Sequence, residues 1–198
     1  MNRREAVSRV AILLGTAVVG AEFFLSGCKL NSREEEEKKK KGAVAGINFT
    51  KDDIAYLDEI AETIIPTTDS PGAKAAGVGA FMTVMVKDTY EEKNQKIFIN
   101  GMKKIDEASN KKFSSGYMKI KPEQRTELLT SIDDEMKNYQ KTKKKEDPTH
   151  YFMLMKQLTM LGYFTSEVGA TKALRYVEVP TRYDGNLPYK KGDKAFSG

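Results

Sequence analysis

A chain of 198 residues with 39% hydrophobic side chains is long enough for one domain with a real core. Its 33 Lys and Arg stand against 28 Asp and Glu, a formal charge of +5, but no basic stripe with interleaved aromatics stands out, which argues against nucleic-acid binding. One Cys rules out an intrachain disulfide, no CxxCH offers a c-type haem site, no glycine-rich phosphate loop is present, and the one His has no partners at metal-ligand spacing.

The chain opens with Arg3, Arg4 and Arg9, then an apolar run from Val10 to Leu25 interrupted by Glu22, then Ser26-Gly27-Cys28. A basic start, a short apolar run and small residues at a cleavage point make an export signal, assigned to residues 1–27. A run of about 16 residues falls short of the ~20 that span a bilayer. Leu25-Ser26-Gly27-Cys28 resembles a bacterial lipobox, in which the peptide is cut before the cysteine and the new N-terminal Cys carries lipid. Cys28 is therefore the expected lipidation site, and the pair Arg3-Arg4 is the expected signal for twin-arginine export, a route taken by folded proteins. The expected location is the bacterial cell envelope, lipid-anchored and facing the periplasm or the cell surface. Residues 28–48 read as a lipidated tether: Glu34 to Glu37 followed by Lys38 to Lys41 could form i,i+4 pairs, but the segment has no apolar face to bury.

From residue 49 to 198 the pattern is helical. Thr50 with Asp53 reads as an N-cap, followed by Ile54, Leu57, Ala61, Ile64 and Ile65 at helical spacing, and Pro66 disfavours helix at the residue before it. After the turn Thr67 to Gly72, a second helix carries Val78, Phe81, Met82 and Met85. A third, near 91–110, carries Ile97, Phe98, Met102 and Ile105. Pro122 suits the first turn of a fourth helix, with Leu128, Leu129, Ile132 and Met136 on one face. Lys141 to Lys145 reads as a charged loop. Asp147-Pro148 is expected to cap and open a fifth helix, whose stripe is Tyr151, Leu154, Met155, Leu158 and Leu161. A short helix is expected from Ser166 to Tyr176, and beyond Val177 the residues Pro180, Asp184-Gly185 and Pro188 favour an extended, turning tail. The fold class is all-α: a single bundle of about five helices with an irregular C-terminal tail.

No catalytic constellation emerges from these residues. His150 sits at a predicted helix start, where a capping or surface role outweighs acid–base work. Glu167 reads as a helix-start carboxylate, and Ser70 and Ser166 have no nucleophile setting. Tyr176, Tyr183 and Tyr189 could form a sugar-stacking face or anchor an interface.

Two segments, Ile64-Ile65-Pro66-Thr67-Thr68-Asp69-Ser70-Pro71-Gly72-Ala73-Lys74-Ala75-Ala76-Gly77-Val78 and Leu158 to Gly169 running on to Ala173-Leu174-Arg175-Tyr176, together with the arginine-bearing leader, resemble the gluconate 2-dehydrogenase subunit 3 family. The resemblance spans most of residues 50–188. It implies a non-catalytic accessory subunit of a periplasm-facing dehydrogenase that oxidises sugars or sugar acids. The implied partners are a flavoprotein catalytic subunit of the glucose-methanol-choline type and a cytochrome c, with FAD and haem c on those partners and no cofactor on this chain. The small subunit would aid maturation, export and membrane attachment of the catalytic one. The tail departs from the pattern at Val179-Pro180-Thr181-Arg182-Tyr183, where Gly would follow Pro. The residues expected to dock the catalytic subunit are Asp69, Pro71, Tyr163, Phe164, Glu167, Arg175, Tyr176, Arg182 and Tyr183, on the ground that both segments leave regular helix. The plainer account is that both only close the bundle, with Asp69 and Ser166 as caps. The alternative function is a free-standing envelope lipoprotein that binds a glycan or a protein.

Overall fold

The computed structural model describes residues 47–179, 185–188 and 190–197. Arg3, Arg4, Cys28, Arg182 and Tyr183 lie outside the described residues. Among those described, five α-helices carry the fold: α1 (Lys51–Ile64), α2 (Val78–Thr89), α3 (Glu92–Phe113), α4 (Pro122–Thr142) and α5 (Tyr151–Phe164). A 3₁₀ turn at Tyr117–Lys119 joins α3 to α4, and a π turn, Gly169–Ala173, follows α5. Two short strands, β1 (Arg175–Tyr176) and β2 (Phe196–Ser197), pair in parallel. The fold is all-α, as the spacing of apolar residues predicts.

Local chemistry sets the helix boundaries. Thr50 and Asp53 form a reciprocal capping box at the start of α1: Asp53 N–H donates to the Thr50 hydroxyl, and Thr50 N–H donates to the Asp53 carboxylate at 2.8 Å. Pro122 occupies the first turn of α4. Between α2 and α3 the buried Gln95 donates its side-chain amide to the Val86 and Lys87 carbonyls, both at 3.0 Å, which satisfies two acceptors that the end of α2 leaves open. The predicted stripes supply much of the core: Leu57 and Ala61 of α1, Val78 and Met82 of α2, Phe98, Met102 and Ile105 of α3, Leu128, Leu129, Ile132 and Met136 of α4, and Tyr151, Leu154, Met155 and Leu158 of α5; Ile60, Val86 and Phe152 join them from outside the stripes, while Ile54, Ile64, Ile65, Phe81, Met85 and Ile97 are half-buried. Leu161 departs from its stripe and stands 47% exposed on α5.

Two boundaries differ from the sequence expectation. Asp147 and Pro148 do not open α5. The Asp147 carboxylate accepts the Lys144 N–H at 2.8 Å within the preceding turn, and the Pro148 carbonyl accepts the Tyr139 hydroxyl at 2.7 Å. The cap is His150, whose Nδ1 accepts the Phe152 N–H. The helix expected from Ser166 to Tyr176 shrinks to the π turn. Leu174 is extended, and the Arg175 N–H donates to the Ala195 carbonyl at 2.8 Å, so the returning tail supplies the acceptor that a helical turn would have supplied.

Candidate functional site

Each signature segment runs through the end of a helix, α1 for one and α5 for the other, and the fold joins them. The Tyr163 hydroxyl, on the last turn of α5, donates to the Pro71 carbonyl at 2.7 Å. The Tyr163 ring is buried, 2% exposed, and meets Phe164 edge-on with centroids 5.1 Å apart. Tyr163 therefore presents no surface to a partner, because its ring lies in the core and its one polar atom is engaged by the neighbouring loop.

The loop after α1 is held from inside. Glu62 accepts the Thr67 N–H at 2.9 Å and its hydroxyl at 2.7 Å through one oxygen, and the Lys74 N–H at 2.9 Å through the other. The Thr67 hydroxyl in turn accepts the Gly72 N–H. A Cβ on Gly72 would come within 2.4 Å of the Glu62 carboxylate, so the loop needs glycine where it folds over that side chain. One turn earlier, Glu59 pairs with Lys74 and with Arg125 of α4. Arg125 also donates to the Tyr117 and Met118 carbonyls, and its guanidinium lies over the Tyr117 ring. Burial pushes the Glu59 carboxyl up, but Lys74 and Arg125 outweigh it and hold it below the usual glutamate value. Burial likewise raises Glu62, and its hydrogen bonds from Thr67 and Lys74 bring it below its usual value.

At the end of α5 the Ser166 hydroxyl donates to the Tyr163 carbonyl at 2.7 Å and accepts the Gly169 N–H at 3.0 Å. Ser166 is thus a local cap, as the plainer sequence account holds, whereas α2 starts from Gly77 with no side-chain cap, so Asp69 caps no helix. Asp69 and Glu167 are exposed, and Pro71 and Phe164 are half-buried. Arg175 and Tyr176 are exposed on β1, and the Arg175 guanidinium lies over the Phe196 ring at 4.7 Å. The nine expected docking residues therefore divide. Pro71 and Tyr163 tie the signature segments together, Phe164 packs half-buried against the core, Asp69, Glu167, Arg175 and Tyr176 face outward, and Arg182 and Tyr183 lie outside the described residues. The sequence reading missed Glu59, Glu62, Lys74 and Arg125, which look like ordinary solvated helix charges, and Phe196, which sits in a segment read as irregular.

The single histidine lies elsewhere. A groove of about 660 Å³ is lined by Ile97, Lys104, Glu135, Tyr139, His150 and Tyr151 among others. The imidazole stacks on Tyr151 at 4.4 Å, and its Nε2 lies 3.9 Å from Glu135. Burial holds its pKa below the ordinary histidine value, with Lys104 adding to the effect and Glu135 opposing it. A neutral ring suits a nitrogen that accepts a backbone N–H, so His150 acts as a cap. Among the described residues no cluster of three metal-ligating side chains occurs, and no helix is long and apolar enough to cross a membrane.

No curated protein and no solved structure matches this chain. The family model described as gluconate 2-dehydrogenase subunit 3 matches residues 51–181, from the first residue of α1 through both signature segments, and the chain belongs to that family.

Proposed function

We propose that this chain is the non-catalytic small subunit of a periplasm-facing, FAD-dependent sugar or sugar-acid dehydrogenase, and that it aids maturation, export and membrane attachment of a glucose-methanol-choline-type catalytic subunit. The family is that of a subunit of a dehydrogenase complex, which makes a partner part of the function. The observation that carries the reading is the match over residues 51–181 together with the Tyr163–Pro71 bond that welds its two signature segments into one surface-bearing unit. Side chains that could have served chemistry have structural tasks: His150 caps α5, Glu59 and Arg125 pair across α1 and α4, and Asp58 accepts the Gly79 N–H at 2.7 Å. Flavin and haem belong, on this reading, to the partners. The lipobox at Cys28 and the pair Arg3-Arg4 supply the anchor and the export route.

The test is capture of the full chain from its native envelope, with mass spectrometry and the flavin absorbance of whatever co-elutes. A flavoprotein dehydrogenase in the eluate, and a cytoplasmic, inactive flavoprotein in cells lacking this chain, are the expected results. A chain that elutes alone, with flavoprotein activity and location unchanged in its absence, overturns the proposal. The groove beside His150 and Tyr151 favours the second reading, a free-standing binding module, and capture of a glycan with no flavoprotein would select it.

A further inference from the structure

Large apolar side chains that remain exposed among the described residues fall in two groups. Val84, Met118, Met160 and Leu161 are spread over helices and a connecting turn, while Tyr176, Val179, Leu187 and Phe196 crowd into the short segment after the π turn. Isolated exposed apolar residues need no explanation, but a concentration of them does. The segment is built around the two-residue parallel bridge, in which Arg175 is in register with Phe196 and Tyr176 with Ser197. Successive strand residues point to opposite faces, so Arg175 and Phe196 share one face and Tyr176 occupies the other. Tyr176 is 52% exposed and Phe196 55%, so neither face is covered. A two-stranded ribbon alone is marginal in water, and this one has no core of its own.

Beside the bridge lies a hollow of about 620 Å³, lined by Thr171, Leu174, Arg175, Tyr176, Asp193 and Lys194. Its lining carries two cations, Arg175 and Lys194, against the one acid Asp193. In the flanking sequence Lys172, Lys190 and Lys191 are exposed as well, against Glu178. Lys194 donates to the Lys172 carbonyl, which fixes the hollow's rim to the π turn. Tyr and Arg are the side chains most enriched where interfaces concentrate their energy, and here they line a concavity with an apolar flank and a cationic rim.

We infer that the Arg175–Phe196 bridge is the docking element for the catalytic subunit, and that it receives into the adjoining hollow a loop of that flavoprotein with an apolar tip flanked by carboxylates. The inference rests on the reading of this chain as a dehydrogenase subunit. The basic rim sets the charge of the occupant and makes the contact salt-sensitive. The exposed bridge gains from the partner the cover it lacks in the isolated chain, and the signature segments at the ends of α1 and α5 act as the scaffold that holds the π turn in place.

The experiment co-expresses the full chain with the flavoprotein recovered by native capture and measures binding for Arg175→Glu, Phe196→Ala and the rim variant Lys194→Glu, with Val84→Ser as the exposed apolar control. Each tail variant is expected to weaken binding by about tenfold or more, the scale of a hot-spot residue. Val84→Ser is expected to bind as the parent does, and parent affinity is expected to fall as salt rises. The rim variant changes only an exposed side chain, so it keeps the test decisive if Phe196→Ala fails to fold. Parent-like binding by Arg175→Glu and the rim variant overturns this inference and leaves the subunit assignment standing. A parent chain that captures no flavoprotein overturns both. Tail variants that keep the flavoprotein but change the chain's own oligomeric state, or its sedimentation with phosphatidylglycerol vesicles, show a second copy or the membrane to be the occupant and also overturn it.

Discussion

Tyr163 and Gly169 show how a few atoms hold the signature segments together. A Cβ at Gly169 would stand 1.9 Å from the Tyr163 carbonyl oxygen, closer than any real contact, so the backbone passes there only because the side chain is absent. Gly169→Ala is expected to cost about 1–3 kcal/mol, the usual scale of forced overpacking. Tyr163→Phe removes one hydrogen bond and leaves the ring in place. The Pro71 carbonyl loses its donor, and about 1 kcal/mol is the expected cost. Urea unfolding of the chain checks both, and the order is the sharper claim: Gly169→Ala should be the more damaging. If Tyr163→Phe is neutral, the bond between the segments is incidental and the packing of the Tyr163 ring alone joins them.

At the scale of elements, the helices were legible because each announces itself in local chemistry. The box at Thr50 and Asp53, the proline at 122 and the 3.6-residue stripes are all visible without knowing what packs where. What was not legible depends on residues far apart in sequence. Asp147-Pro148 has the composition of a helix start, but Tyr139 and Lys144 take its acceptors first. The π turn ends early because Ala195 returns to meet Arg175. Pairing of Arg175 with Phe196 has no periodic signal, so the exposed bridge looks in sequence like irregular tail. Gln95 belongs to this class too, a polar residue in a helix that proves to be buried and to close the end of the preceding one. Gln95→Leu keeps similar volume but leaves the Val86 and Lys87 carbonyls without that donor, and about 1–3 kcal/mol is the expected loss. Hydrogen exchange should localise the effect to the last turn of α2. Uniform loss of protection across α2 and α3 would mean that Gln95 acts through packing instead.

For the whole molecule, three carboxylates held by hydrogen bonds and ion pairs add to the loss of stability in acid that His150, held below the ordinary histidine value, begins at higher pH. Glu59, Glu62 and Asp133 all titrate below their ordinary values, against the burial that each of them resists. Each is protonated more readily in the unfolded chain, so each contributes stability that is present above the unfolded pKa and lost as pH falls through the folded one. The ordinary values are 4.5 for the two glutamates and 3.8 for the aspartate, so the loss from these three should begin near those values and deepen below them. Glu59 and Glu62 hold the 67–74 loop, so acid should loosen that loop. The check is urea unfolding across this range beside Glu62→Gln, whose acid slope should be shallower than the parent's; an identical slope would place the acid sensitivity elsewhere.

The largest scale joins the domain to the envelope, and there the proposed anchor and the proposed export route make separable predictions. If Cys28 carries the lipid, Cys28→Ala should abolish the acyl mass and move the chain out of the membrane fraction, because stable anchoring takes more than one chain's worth of buried methylenes and nothing else in the described residues is long and apolar enough to span a bilayer. Export itself should persist in that variant. If Arg3 and Arg4 direct export of an assembled complex, replacing both by Lys should strand this chain and its flavoprotein together in the cytoplasm, folded and still bound to one another. The two variants thus differ in compartment, not in assembly. Stranding of this chain alone, with the flavoprotein exported normally, would show that the catalytic subunit does not depend on this leader. Normal export of both would reduce the arginine pair to the basic start of an ordinary signal.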